Sequence, residues 1–326
     1  MMRRRKPRVI DLFAGAGLFS HAFAREGFEV IHAIEIDPVA AKTYRENVGD
    51  HVEVGDVRTR RPPCKCDVLI AGPPCQGFST LGKRDCEDPR NGLSLEVSRW
   101  GRVTGAAVVI IENVEAFLQA PEWSALAQRL RRLGYDVHAP VLNAYDFGVA
   151  QIRRRSFTIA SKVGIPRPRP IDGRPVGTVR EAWLGLSPVP DGRNGHLAPK
   201  PSPLALARMR MIPEGGDKRD IMRAAPELAP PSWWSFPGQL TDVWGRMEWD
   251  RPANTLRTCL QNASKGRYIH PEQERVISLR EAARLHSIED TWSFSGLPTQ
   301  VARQIGNSVP PRLGRAVARC VRQLFD

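Results

Sequence analysis

Over the first 160 residues, short apolar runs alternate with amphipathic stretches, and this pattern constrains the fold more than any other feature of the chain. "RVIDLFAGAG" reads as a strand ending in a glycine turn, and "LFSHAFAREG" as a helix stopped at Gly27. The strand "EVIHAIEID" follows, then the helix "PVAAKTYREN" with Pro38 in its first turn, then the strand "CDVLIAG". "GAAVVIIENV" is a further buried strand, and "PEWSALAQRLRRLG" a helix that starts at Pro121 and stops at Gly134. Strands that alternate with helices need crossover connections, which predicts an α/β fold built on a doubly wound, Rossmann-like parallel sheet.

From about Gly164 to Asp250 the pattern dissolves into "PRPRPIDGRP", "SPVPDG" and "APKPSP", with aromatics in "PSWWSF" and "VWGRMEW". This composition shift predicts a second, smaller domain with little regular helix. Helical periodicity returns in "SLREAARLHSI" and "PRLGRAVARCVRQLF", where Leu313, Val317, Cys320, Val321 and Leu324 share one face.

With 326 residues, two such domains are easily accommodated. No apolar run reaches the ~18 residues needed to span a bilayer, and "MMRRRKPR" has no apolar segment behind it to make a secretory signal. Six irregularly spaced cysteines do not read as a disulfide framework, so a reduced, cytoplasmic protein is expected. The formal net charge is +13, and among the 48 basic residues arginine far outnumbers lysine. Arginine forks suit phosphates and guanine edges, so the charge points to nucleic acid as partner.

"DLFAGAG", Asp11 to Gly17, sits where the first strand meets the first helix, and glycines there let the backbone approach a ligand. Glu35 lies twenty residues after Gly15, suitably placed for ribose hydroxyls. A dinucleotide fingerprint needs a third glycine where Ser20 stands, which counts against a nicotinamide dehydrogenase. In an open parallel sheet, ligands bind beyond the carboxyl ends of the strands. "DVLIAGPPCQGFS" puts Cys75 beyond one such end, and "IIENV" puts Glu112 and Asn113 at another. A thiol and a carboxylate on one rim suggest covalent catalysis with a proton donor. The spacing of Cys64, Cys66, Cys75 and Cys86 does not make a usual tetrahedral set, so no metal site is expected. Trp233 and Trp234 suit either base stacking or the packing of a small domain, and His286 reads as structural.

These residues carry a family resemblance. The blocks "DLFAGAGLFSHAF", "EID", "GDV", "GPPCQGFS", "IIENV", "LNAYDFGVAQIRRRSF", "SLREAARLHSI" and "RQIGNSVPP" resemble, in order, those of DNA (cytosine-5-)-methyltransferases of the bacterial and archaeal type. The resemblance implies a catalytic, S-adenosylmethionine-binding domain over 1–164 and 251–326, and a target recognition domain over 165–250. It implies methylation of carbon 5 of a flipped-out cytosine in duplex DNA. Cys75 would add to carbon 6, Glu112 would hydrogen-bond or protonate ring nitrogen 3, and Arg155, more loosely Arg153, would hold the base oxygen. Phe13, Gly15 and Gly17 match the cofactor turn, Glu35 the ribose contact, Asp56 the adenine amino contact, and Pro74 lies beside the methyl donor. Asn307 matches a cofactor residue from the far end of the chain, a role compatible with capping the last helix. Residues 79–92, "STLGKRDCEDPRNG", would form a lid over the flipped base. A monomer is expected, nucleoid-associated in the cytoplasm, with a cognate restriction endonuclease as a functional counterpart. An RNA cytosine methyltransferase and a catalytically silent DNA-binding paralogue are the alternatives; the separate segment at 165–250 favours DNA, and intact Cys75, Glu112 and Arg155 favour catalysis. The chain departs from the family at Leu18, where many members carry a further glycine.

Overall fold

In the computed structural model, which describes residues 5–74, 92–170, 177–235 and 242–326, β1 (Arg8–Leu12) pairs in parallel with strands on both sides. The chain continues through α1 (Leu18–Arg25), β2 (Glu29–Glu35), α2 (Pro38–Asn47), β3 (Val52–Val54), β4 (Val68–Ala71), α3 (Leu93–Thr104) and β5 (Val108–Val114). After α4 (Pro121–Arg132) come β6 (Asp136–His138), β7 (Val141–Asn143) and β8 (Arg154–Ser161). The sheet order is β3-β2-β1-β4-β5-β8-β6, with β7 also on β8; β8 runs antiparallel to β5. The order reverses between β1 and β4, which makes that point the topological switch of a doubly wound sheet. The α/β sheet expected from the alternation is therefore present.

The central strands read as continuous apolar runs because helices cover both faces. All four residues of β4 and the first six of β5 are buried. One face packs Leu12, Leu69, Val109 and Ile111 against Trp100 of α3 and Leu126 and Leu130 of α4. α11 (Pro311–Arg322) buries Leu313, Val317, Cys320 and Val321 of the stripe read from periodicity and packs on α1, while Leu324 falls past its end in a 3-10 turn. The approach is close: a Cβ on Gly314 would come within 2.9 Å of Ala22 Cβ. Glu26 at the end of α1 accepts from Arg315 Nε (2.8 Å) and Arg319 Nε (3.1 Å).

The chain folds as two compact units, the first comprising Met1–Phe147, Arg154–Gly173 and Ser308–Asp326, and the second Gly148–Arg153 and Arg174–Asn307. The second unit holds α5 (Val179–Ala182), α6 (Pro203–Arg210), α7 (Lys218–Ala224), α8 (Pro231–Trp234), β9 (Gly245–Arg246), β10 (Arg267–Ile269), α9 (Leu279–Leu285) and α10 (Pro298–Asn307). It takes in more chain than the segment that composition marks off, and the reason is physical. Helices of four to eight residues such as α5 to α8 bury little by themselves. They close instead on residues beyond 250. Arg246 is buried and donates to the carbonyls of Met209, Ile212, His270 and Gln273. Trp183 Nε1 donates to Glu281 O at 3.0 Å, and its ring stacks on His270. Ser278 caps α9 in a reciprocal box with Glu281, whose carboxylate also accepts from Arg275. Among the described residues no helix is long and apolar enough to cross a membrane.

Candidate active site

The parallel register aligns the strand ends. Leu12 is paired with Ile34 and with Ala71, and Ala71 with Ile111. One step further along each strand stand Phe13, Glu35, Gly72 and Glu112, so these four share one rim of the sheet. Asp56 lies just beyond Val54, the partner of Glu35 on β3. Sequence position alone puts most of these residues at strand ends; the register places them side by side.

Between β1 and α1 the backbone turns through left-handed conformations at Phe13 (φ +58°), Gly15 (φ +55°) and Gly17 (φ +92°). A left-handed non-glycine residue costs on the order of 1–3 kcal/mol, so Phe13 is a strained position held by its surroundings. One restraint is Glu35, whose Oε2 accepts from Gly15 N at 2.7 Å while Oε1 accepts from Asp37 N at 2.8 Å. Burial pushes the Glu35 carboxyl above its usual range, and those two backbone N–H groups oppose the shift. Leu18 leaves the turn intact: Gly17 supplies the left-handed cap and Leu18 becomes the first, buried residue of α1. Ser20, standing where a dinucleotide fingerprint needs glycine, is buried and donates to Asp11 Oδ2 at 2.7 Å.

On the other side of the switch point, Asn113 Nδ2 donates to Pro73 O at 3.4 Å, linking the end of β5 to the Gly-Pro-Pro turn that leads to Cys75. Pro74 is half-buried on that turn. Cys75 itself and residues 79–91 of the expected lid lie outside the described residues. Glu112 and Arg155 are brought together, Arg155 Nε standing 3.2 Å from Glu112 Oε1 with both side chains largely buried. Arg155 Nη1 also donates to Arg154 O.

Two residues are placed in the second unit. Arg153 is 1 % exposed, and its terminal nitrogens donate to Leu256 O (3.1 Å) and Gly306 O (2.9 Å). Both terminal nitrogens thus reach backbone carbonyls of its own unit, a framing contact that the sequence reading of Arg153 did not include. Asn307 is the last residue of α10. Nearby in sequence, Gln151 bridges Leu256 N and His286 Nδ1, a framework contact that suits the structural reading of His286. Trp233 packs on Trp244, and Arg208 lies over both rings, whereas Trp234 is half exposed.

The glycine turn fits a nucleoside methyl donor. Among the described residues, a Cβ added at Gly15 would meet nothing within 4 Å, so at Gly15 the turn faces open space among them. Each Glu35 oxygen accepts one backbone N–H and keeps lone-pair capacity for a hydroxyl. Asp56 is held ionised by Arg58, which binds it through its side chain and backbone and pulls its carboxyl below the usual range. Among the described residues no group of His, Cys, Asp and Glu could hold a metal.

A doubly wound sheet with a glycine turn after β1 and a carboxylate ending β2 defines the Rossmann-like class. The fold is shared with a prophage-encoded Escherichia coli protein described as a DNA modification methyltransferase (TM-score 0.77, 24% identity, 98% of this chain and 99% of that one). It is shared also with the methyltransferase EhMeth of Entamoeba histolytica (TM-score 0.69, 16% identity, 99% of both chains). The profile of C-5 cytosine-specific DNA methylases matches residues 7–175 and 232–323, and the chain belongs to that family. The type II methyltransferase M1.HphI of Haemophilus parahaemolyticus is 34% identical over 97% of this chain and 86% of its own. The type II methylase M.HgiDII of Herpetosiphon aurantiacus is 31% identical over 98% and 96%.

Proposed function

We propose that this enzyme methylates carbon 5 of a cytosine flipped out of duplex DNA, with S-adenosylmethionine as methyl donor and Cys75 as nucleophile. The observation that carries the reading is the shared rim, which sets the open turn of Phe13, Gly15 and Gly17, braced by Glu35, alongside Glu112 and its partner Arg155. Glu35 would take the ribose hydroxyls, Asp56 the adenine amino group, with Pro74 beside the donor and Asn307 as a further contact. S-adenosylmethionine supplies an electrophilic methyl group. Carbon 5 of cytosine is too weak a nucleophile to take it directly. Addition of the Cys75 thiolate to carbon 6 makes carbon 5 enamine-like, and Glu112 neutralises the charge on ring nitrogen 3 by donating a hydrogen bond or proton there. Arg155 holds the base oxygen and, across its ion pair, keeps Glu112 aimed. Loss of the carbon-5 proton then expels the thiolate.

The compositionally distinct segment at 165–250 is the reading head for the DNA site, and the base is flipped out of the duplex to reach the rim. The enzyme acts as a monomer in the cytoplasm, where a restriction endonuclease of the same specificity would be its counterpart. The deciding experiment uses duplex DNA carrying 5-fluorocytosine, whose carbon-5 fluorine cannot leave as a proton. A denaturation-resistant complex should form with the wild-type chain and be absent with Cys75→Ser. A Cys75→Ser enzyme with near-normal methyl transfer would overturn the mechanism.

A further inference from the structure

Beneath the glycine turn runs a chain of three side-chain hydrogen bonds that the chemistry above does not use. Ser20 Oγ of α1 donates to Asp11 Oδ2 of β1 at 2.7 Å. Tyr44 of α2 donates its hydroxyl to Ser20 Oγ at 2.9 Å, and the same hydroxyl lies 2.9 Å from Nε2 of His51 in the loop before β3. Each hydroxyl has one proton, so the chain has a direction. Ser20 gives its proton to Asp11, Tyr44 gives its own to Ser20, and the Tyr44 oxygen is left to accept from a His51 that carries its proton on Nε2.

Asp11, Ser20 and Tyr44 are 1 %, 0 % and 0 % exposed, at positions where apolar residues would pack without desolvating a carboxylate. A fold that needed only a core here would not carry them. Their placement relative to the turn is what they share. A Cβ on Gly17 would meet Tyr44 Cδ2 at 2.7 Å, so the ring lies directly against the turn's last glycine. Ser20 stands on the first turn of the helix that Gly17 caps, and Asp11 on the strand just before Phe13. The chain thus ties together the three elements between which the turn is hung, α1, α2 and β1. Buried hydrogen-bonded networks of this kind specify one geometry where apolar contacts tolerate several.

We propose that Ser20 and Tyr44 are positioning residues for the methyl donor: their hydroxyl chain from His51 to Asp11 holds the glycine turn in its binding conformation. The proposal rests on the methyl-donor reading above. Neither residue touches the base, so the effect falls on donor affinity.

The test measures S-adenosylmethionine binding by calorimetry, and steady-state methylation, for the wild-type chain, Tyr44→Phe, Ser20→Ala, their double variant and His51→Ala. Tyr44→Phe keeps the ring against Gly17 and removes only the hydroxyl. Kd and KM for the donor should rise about three- to ten-fold, the span of one net hydrogen bond, with kcat at saturating donor within about two-fold. The double variant should lose less than the product of the single losses, because both changes break one chain. His51→Ala, at the half-buried outer end, should shift Kd in the same direction by less. A purely structural role would lower thermal stability and leave the donor Kd of the folded protein unchanged; that outcome, or independent multiplicative losses, overturns the proposal. Failure of the wild-type chain itself to bind the donor would instead strike at the methyl-donor reading, and this proposal would fall with it.

Discussion

Arg155 and Glu112 form an ion pair diagonally across the β5–β8 seam, with Nε 3.2 Å from Oε1. Arg155 is paired in register with Val114, two residues along from Glu112, so the two side chains leave the same face of the sheet. The pair sits at the end of β5, where Glu112 is one step past the row that aligns all the central strands. A carboxylate so placed is oriented by its arginine partner. Replacing Glu112 with Gln keeps the shape and removes the deliverable proton. kcat should fall by roughly 10²–10⁴, the usual range for general acid–base help, with donor affinity little changed. A loss expressed mainly as weaker donor binding would remove Glu112 from the chemistry.

Arg153, two residues earlier, should behave oppositely. Its donors satisfy two buried carbonyls, and Arg153→Met would leave both without them at a cost of about 1–3 kcal/mol each. Urea unfolding should therefore show a clear loss of stability, with activity falling only as the folded fraction does. Arg155→Met should cost activity well beyond any loss of folded fraction, because Glu112 loses the partner that orients it. If the two variants exchanged these signatures, the division between frame and site at this motif would be wrong.

The glycine turn makes a graded test. At Gly17 an added Cβ would meet Tyr44 Cδ2 at 2.7 Å and Val48 Cγ2 at 2.8 Å, on a backbone at φ +92°. At Gly15 it would meet nothing within 4 Å among the described residues, leaving the left-handed backbone, φ +55°, to penalise it. Gly17→Ala should therefore lower thermal stability and donor affinity together. Gly15→Ala should cost about 1 kcal/mol of stability and disturb donor binding chiefly by filling the space over the turn. Thermal denaturation with and without donor separates the two.

The strands and helices of the first unit are legible in the sequence because their apolar runs and caps are local signals: Pro38 and Pro121 at helix starts, the buried run of β5, the stripe Leu313, Val317, Cys320 and Val321. The rim is legible too, since Glu35 and Glu112 end apolar runs. The role of Arg153 is not. "QIRRR" presents three adjacent arginines, and only tertiary placement shows that Arg153 grips Leu256 and Gly306 while Arg155 meets Glu112. Ser20 reads in sequence as a missing glycine, because a hydrogen bond to Asp11 nine residues away, linked onward to Tyr44, leaves no periodic mark. The extent of the second unit is hidden for a similar reason: composition changes at 250, but the buried Arg246 bonds across that point.

Asp11 gives stability a pH dependence whose sign is fixed. Burial raises its carboxyl from 3.8 to about 7, the Ser20 hydrogen bond partly opposes this, and the nearby Glu35 adds to it. Between those two values the folded chain holds a proton that the unfolded chain releases. Stability contributed by this group is therefore lost as pH rises from about 4 to about 7, and levels off above, with a slope approaching ~1.4 kcal/mol per pH unit. Asp11→Asn retains an acceptor for Ser20 and cannot ionise. The stability of wild type relative to this variant should fall between pH 5 and pH 7 in urea unfolding and flatten by pH 8. A difference independent of pH would mean Asp11 titrates normally.

The reading head can be moved only if its frame moves with it. Cutting at 250 severs Arg246 from its acceptors at His270 and Gln273, and Trp183 from Glu281 O. Arg246 is a buried cation with its donors on four carbonyls, and breaking part of that set strands a charge in the interior. Exchange of 165–250 with the matching segment of a relative should therefore yield an unstable chimera unless the incoming segment carries residues equivalent to Trp183 and Arg246. Exchange of 148–153 together with 174–307 keeps those bonds, and those of Gln151 and Arg153, within one parent and should fold with near-parental stability. In both chimeras that fold, the methylated sequence should follow the donor of the exchanged segment, because Glu112 and Arg155 stay with the recipient. Bisulfite sequencing of DNA from expressing cells reads the site, and urea unfolding reads the frame. A stable chimera of this whole unit that still methylates the recipient's sequence would place the reader elsewhere, and the segment after Cys75 would be the next place to look.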